Sequence, residues 1–186
     1  RSEFQCRWLV VGYVQSGKTA NFTAVAARAA DIGYRLIIVL SGIHDSLRNQ
    51  TQRRLDRELV GVGVNWITLT GPESDFQEPQ VADGFDATGT VLVVAKKIVP
   101  ILERLNRWLG NLEGRLAEVP VLLIDDEADQ ASINIRGNRR DPSIDDDSAS
   151  GEDGESPSRT NGLIRDILHR LEDAVAQARS AGLLGP

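Results

Sequence analysis

Five short apolar runs, each rich in β-branched residues, constrain the fold of this chain most tightly: WLVVGYV (8–14), LIIVL (36–40), VNWITL (64–69), VLVVA (91–95) and VLLID (121–125). A strand with one face in water alternates apolar with polar residues. These runs are apolar on both faces, the pattern of a parallel sheet covered on both sides. Parallel neighbours need crossover connections, and the segments between the runs supply them with helical period. Thr19 to Ala30 is Ala-rich, and Asp45 to Val60 is charged and amphipathic. Ile98, Ile101, Leu102, Leu105 and Leu109 share one face of a helix over 98–109. The expectation is an α/β domain with a mostly parallel sheet of about five strands, helices on both faces and right-handed crossovers. At 186 residues the chain is long enough for one such domain and its core.

Two stretches break the rhythm. Residues 71–90 (GPESDFQEPQVADGFDATGT) carry turn chemistry and little period, which predicts a loop. Residues 137–160 hold seven acids and three arginines among Gly, Ser and Pro, and concentrate most of the net charge of −6. Such a segment buries too little apolar area to offset chain entropy. The pattern predicts a core over 1–134, an acidic disordered linker or insertion over 135–161, and a C-terminal amphipathic helix of the same domain over 162–186. In that helix Ile164, Ile167, Leu168, Leu171, Val175 and Ala178 form one stripe. Asp145, Asp146 and Asp147 do not make a calcium loop, because no glycine or glutamate falls at the EF-hand spacing.

Composition excludes several classes. Cys6 is the sole cysteine, so no intramolecular disulfide framework exists. No run reaches the ~18 apolar residues of a membrane helix. RSEFQCRWLVVGYV at the N-terminus lacks the three regions of a signal peptide. A cytoplasmic protein without a membrane partner is expected. The sequence opens on Arg and contains no Met, which predicts that it is part of a longer or processed chain. The acidic balance disfavours coating nucleic acid over a whole face, though a local basic stripe is compatible with it. Basic residues are skewed to 18 arginines against three lysines, Lys18, Lys96 and Lys97.

Lys18 lies in the sharpest motif. GYVQSGKT, Gly12 to Thr19, matches G-x-x-x-x-G-K-[ST] completely, follows an apolar run and opens a helical one. At average composition such a match arises by chance in about one chain of this length in a hundred. Gly12 and Gly17 allow the backbone to wrap so that the N–H groups through Gln15 and Ser16 face phosphate oxygens. The helix beginning near Lys18 aims its positive dipole end at the same anion. Lys18 supplies a point charge to the β- and γ-phosphates, and Thr19 offers a hydroxyl to magnesium. The expected ligands are ATP and Mg2+.

VLLIDDEADQAS, Val121 to Ser132, is an apolar run that ends in carboxylates. In an open α/β sheet, a carboxylate at the C-terminal end of a strand faces the ligand crevice. Asp126 is the expected magnesium ligand, directly or through water, with Asp125 as its nearest competitor. Glu127 is the expected general base for an attacking water. A solvated acidic helix start is the plainer alternative, which the helix dipole also favours.

At these residues the chain resembles the first motor lobe of superfamily two helicases and translocases. It resembles still more closely the Z-one domain family, whose members carry an endonuclease label and helicase-like ATPase cores. The carrying strings are GYVQSGKTANF (12–22), AADIGYRLIIVLSGIHDSLRNQTQRR (29–54), VAKK (94–97) and LLIDDEADQASIN (122–134). Asp126, Glu127, Ala128 and Asp129 match the DEAD element residue by residue. SGIHDSLRNQT stands where the helicase motif that contacts the nucleic-acid backbone lies. The resemblance implies a RecA-like P-loop NTPase lobe and an ATP-dependent role on nucleic acid, DNA rather than RNA, in bacterial restriction, defence or repair. It also implies a second motor lobe with an arginine finger, preceded by a TATP-bearing strand between the phosphate-loop strand and the acidic strand. This sequence ends before either and carries no nuclease motif, so little hydrolysis is expected from these residues alone.

On the helix after the second run, Leu47, Thr51, Leu55 and Leu59 repeat every four residues and should pack inward. Gln50, Arg53, Arg54 and Arg57 fall on another stripe that either binds successive phosphates or is a solvated face paired with Asp56 and Glu58. The expected nucleic-acid contacts are Arg48, Gln50, Thr51 and Arg53, with Arg48 beside the family motif the strongest. Lys96 and Lys97, at a strand end, are further phosphate candidates. Trp66 and Trp108 read as packing residues, and His44 and His169 lack metal-ligand spacing. Three functions compete: a nucleic-acid-dependent ATPase lobe, a nucleotide-binding module without turnover that serves as sensor or scaffold, and a small P-loop kinase. The last fits least, because DEAD is a hydrolase element.

Overall fold

The computed structural model describes residues 18–62, 65–79, 89–126 and 157–182. Four strands form one parallel sheet: β1 (Leu36–Ser41), β2 (Trp66–Thr68), β3 (Thr90–Lys96) and β4 (Val121–Asp125). Their order is β2-β3-β1-β4. In register, Leu36 lies opposite both Val91 and Val121, and Leu40 opposite both Ala95 and Asp125. The α/β class and the parallel sheet expected from the sequence are therefore present. The strand expected over 8–14 lies outside the described residues.

The helices are α1 (Lys18–Asp31), α2 (Asp45–Leu55), α3 (Val99–Asn111), α4 (Glu113–Leu116) and α5 (Pro157–Ser180). A π-helical turn, Asp56–Val60, extends α2. α1 stops where Gly33 takes φ +99°. The Gly33 amide then donates to the Ala30 carbonyl (3.1 Å) and the Tyr34 amide to that of Ala29 (2.9 Å), a Schellman ending that needs a residue without a Cβ penalty.

Strand alternation divides the core into two layers. Leu36, Ile38, Leu40, Val91, Val93 and Ala95 face α3, α4 and α5, meeting Leu102, Leu105, Leu109, Leu116 and Ile167. Ile37, Val39, Leu92 and Val94 face the other way, meeting Ala26 and Ala29 of α1 and Leu55 of α2. Each fully buried Leu or Ile stabilises the fold by roughly 1.5–3 kcal/mol relative to exposure. Trp108 is buried and Trp66 packs against the second layer, as packing residues should.

β1 is buried along its whole length, whereas every residue of β4 is half-buried. Among the described residues β4 pairs on one side only, with β1.

Two expectations change. The last helix begins at Pro157, inside the span assigned to the linker. Proline suits a first helical position because its missing N–H has no partner to lose there. Thr160 and Asn161 are buried, and Arg159 hydrogen-bonds Glu103 of α3. Average composition had grouped these polar residues with the acidic stretch before them. The remaining linker residues, 135–156, lie outside the described residues. Within the segment expected as a loop, residues 71–79 form one, and it is anchored; residues 80–88 lie outside the described residues, and Thr90 already belongs to β3. Phe76 is fully buried, its ring 5.4 Å from that of Trp108.

Candidate nucleotide site at the strand ends

Of the residues expected at the nucleotide site, Lys18, Thr19, Asp125 and Asp126 fall within the described residues. α1 leads to β1 through a four-residue turn over 32–35, so the helix and the strand run in opposite directions. Fourteen helical residues span about 21 Å and six extended residues about 20 Å, so the two are nearly equal in length. The start of α1, at Lys18 and Thr19, is thereby level with the end of β1. Gly12, Gln15, Ser16, Gly17 and Glu127 lie outside the described residues.

Alternation sorts the charges at these ends onto two faces. Lys97 and Asp125 continue the parity of Val93, Ala95 and Leu123, the α3 and α5 face. Lys96 and Asp126 continue the parity of Val94 and Ile124, the α1 and α2 face. The Lys97 side chain is fully buried. Its Nζ donates to Asp125 Oδ1 (2.7 Å) and to the Asp126 carbonyl (2.7 Å). Because β1 lies between β3 and β4, this lysine bridges over the end of the central strand. The Asp126 amide donates to the Leu40 carbonyl (2.8 Å), so the ladder with β1 persists one residue beyond β4.

Lys96 meets the start of α2, with Nζ 2.7 Å from Asp45 Oδ1. That hydrogen bond and the lysine charge hold the Asp45 carboxyl below the usual carboxylate range. Lys96 also lies 3.9 Å from Asp75 Oδ2. Asp75 is pushed up by burial, against the opposing pull of the Phe76 amide, Arg48 and Lys96.

The nucleic-acid expectation is corrected in part. Arg48 is buried and holds the loop after β2: its Nη2 donates to the carbonyls of Gly71 (2.8 Å) and Pro72 (2.9 Å), and its Nη1 to that of Ser74 (3.3 Å). A guanidinium committed to three carbonyls inside the fold is not presented to a phosphate backbone. Thr51 is buried as well, on the inward stripe that its spacing predicted. Gln50 and Arg53 are exposed, as a contact surface requires. Arg53 pairs with Glu73, and Arg54 and Arg57 with Glu58, whose carboxyl the Arg54 hydrogen bond lowers. Asp56, expected in that pairing, accepts from Gln52 instead (2.8 Å).

Two features of the site carry no local sequence signal. Gln52 is fully buried and accepts from the Thr70 hydroxyl (2.7 Å), which itself accepts from the Val94 amide (3.0 Å), tying α2 to β3. Asp75 sits in an aperiodic loop, and nothing in its neighbours announces burial. Lys97 was signalled only by the scarcity of lysine.

Among the described residues no three His, Cys, Asp or Glu side chains converge as a metal cage. Magnesium held beside a nucleotide needs only one or two protein oxygens, the rest coming from phosphate and water, so the donor set of one hydroxyl and one carboxylate fits it. None of the described helices is long and apolar enough to cross a membrane. Comparison of the chain with family models, curated proteins and solved structures gives no match.

Proposed function

We propose that this chain is the ATP-binding first lobe of a nucleic-acid-dependent ATPase, of the RecA-like P-loop kind that its resemblance to the Z-one family and superfamily two helicases implies. One observation carries the reading. The helix that GYVQSGKT opens begins level with the strand ends, on the sheet face to which alternation assigns Asp126. The start of α1 and the acidic strand end, 107 positions apart from Thr19 to Asp126, thus belong to one layer of the fold, which supports the reading.

In this reading the backbone amides from Gly12 to Gly17, with Gln15 and Ser16 among them, cradle the phosphates. Lys18 neutralises the β- and γ-phosphates. The Thr19 hydroxyl and the Asp126 carboxylate hold magnesium. Magnesium, when bound, draws charge from the phosphate oxygens as it builds in the transition state. Glu127 takes a proton from water as the water oxygen bonds to the γ-phosphorus. The bond from that phosphorus to the β–γ bridging oxygen breaks, leaving ADP and phosphate. An exposed Gln50 and Arg53 on α2 offer the nucleic-acid contact, and DNA is the expected polymer.

The second reading, a nucleotide-binding module without turnover, draws support from the burial of Arg48 and Thr51, which removes two of the four expected nucleic-acid contacts. Stimulation of ATP hydrolysis by single-stranded DNA separates the two. The first reading requires it, and the second requires nucleotide binding without it.

A further inference from the structure

We infer that Lys97 is a positioning residue for the acidic strand end, an inference that rests on the proposed nucleotide site. Asp125 ends β4 and Asp126 follows it, and either carboxylate has the chemistry to bind magnesium. Lys97 separates them. Its ammonium, with no side-chain exposure, holds the Asp125 carboxylate on the α3 and α5 face at 2.7 Å. The same nitrogen holds the Asp126 carbonyl at 2.7 Å. The Asp126 amide is fixed independently by Leu40. Both the amide and the carbonyl of Asp126 are thus held. In the proposed site Asp126 is then the carboxylate assigned to magnesium. Groups that orient a metal ligand from behind change metal affinity by about 10–100-fold when removed.

The test measures binding of a non-hydrolysable ATP analogue, adenosine 5′-(β,γ-imido)triphosphate, to the intact protein by calorimetry, in magnesium and in EDTA. The ratio of the two affinities is the magnesium enhancement. The double variant Lys97→Met/Asp125→Leu removes both buried charges together, so neither is left unpaired. It is expected to keep the affinity seen in EDTA and to lose the magnesium enhancement by about tenfold or more. Asp125→Asn retains an acceptor for Lys97 and leaves the Asp126 carbonyl held, and it is expected to keep the enhancement. A stable double variant with full enhancement overturns the positioning role and leaves the nucleotide site standing, provided Asp126→Asn abolishes the enhancement. Loss of the enhancement in Asp125→Asn overturns it too, by making Asp125 the ligand, and decides the matter even if the double variant does not fold. A wild-type protein that binds the analogue in neither condition overturns the nucleotide site and this inference with it.

Discussion

Lys97 and Asp125 meet 2.7 Å apart over the end of β1, joining strands that do not touch each other. The lysine is fully enclosed and the carboxylate about a quarter exposed. Removing the lysine takes the cation from a carboxylate that is about three-quarters buried. Lys97→Met should therefore destabilise the fold by roughly 3–5 kcal/mol, and adding Asp125→Leu should recover much of that loss. Urea denaturation of the two variants measures both. A Lys97→Met protein as stable as wild type contradicts the buried pair.

Arg48 and Arg53 sit on the same helix with opposite surroundings. Arg48→Ala strips donors from three carbonyls of the loop after β2 and should cost about 3 kcal/mol. Arg53→Ala, at an exposed position, should stay within about 0.5 kcal/mol of wild type. If α2 touches nucleic acid, Arg53→Ala weakens single-stranded DNA binding at unchanged stability. Equal stability losses in the two variants would contradict the difference in burial.

Gly89 enters β3 beside the backbone of Asn65, whose carbonyl accepts from the Thr90 amide (2.8 Å). A Cβ placed at Gly89 would stand 2.2 Å from that carbonyl oxygen. Backbone has no rotamer with which to move aside, so Gly89→Ala must displace the start of β2 or of β3. A loss of about 1–3 kcal/mol is expected by thermal or urea unfolding. A neutral substitution would contradict this packing of the two strand starts.

Burial raises the Asp75 carboxyl above its ordinary value, which sets the sign of its pH effect. Its folded pKa exceeds its unfolded one, so its contribution is fully present below the unfolded pKa and is lost as pH rises through the folded one. Asp75→Asn removes that loss. The variant should gain stability relative to wild type as pH rises from the ordinary carboxylate range through the raised value. Asp45 works in the opposite direction, because Lys96 lowers it: its contribution is present above the ordinary carboxylate range and is lost as pH falls. Urea midpoints of the Asp75→Asn and wild-type proteins across that range give the difference. A difference that runs the other way contradicts the burial of Asp75.

The sheet was legible because burial on both faces leaves a plain mark, an unbroken apolar run. β1, β3 and β4 fall within a residue of LIIVL, VLVVA and VLLID. Helical periodicity likewise located α2 and α3 and the stripe of α5. Periodicity identifies which face of a helix is buried but not which polar residue is buried with it. Arg48 and Gln52 neighbour Thr51 and Leu55 on α2 and are enclosed because a loop folds over them, a tertiary fact without local pattern. The start of α5 was hidden for a related reason, since Pro, Ser and Thr serve both loops and helix N-termini. At the strand ends the residue types were legible and the pairing was not. Lys97 adjoins β3 and Asp125 ends β4, and only the strand order places one over the other.

In the proposed function GYVQSGKT and the acidic strand end form one ATP-hydrolysing site. Its most direct test is the steady-state rate of ATP hydrolysis by the full-length protein, with and without single-stranded DNA, for wild type, Lys18→Ala and Glu127→Gln. DNA-stimulated turnover is expected, falling by about 100-fold or more in each variant. Turnover unchanged in Glu127→Gln would contradict the general-base assignment, and turnover unchanged in Lys18→Ala would contradict the site itself.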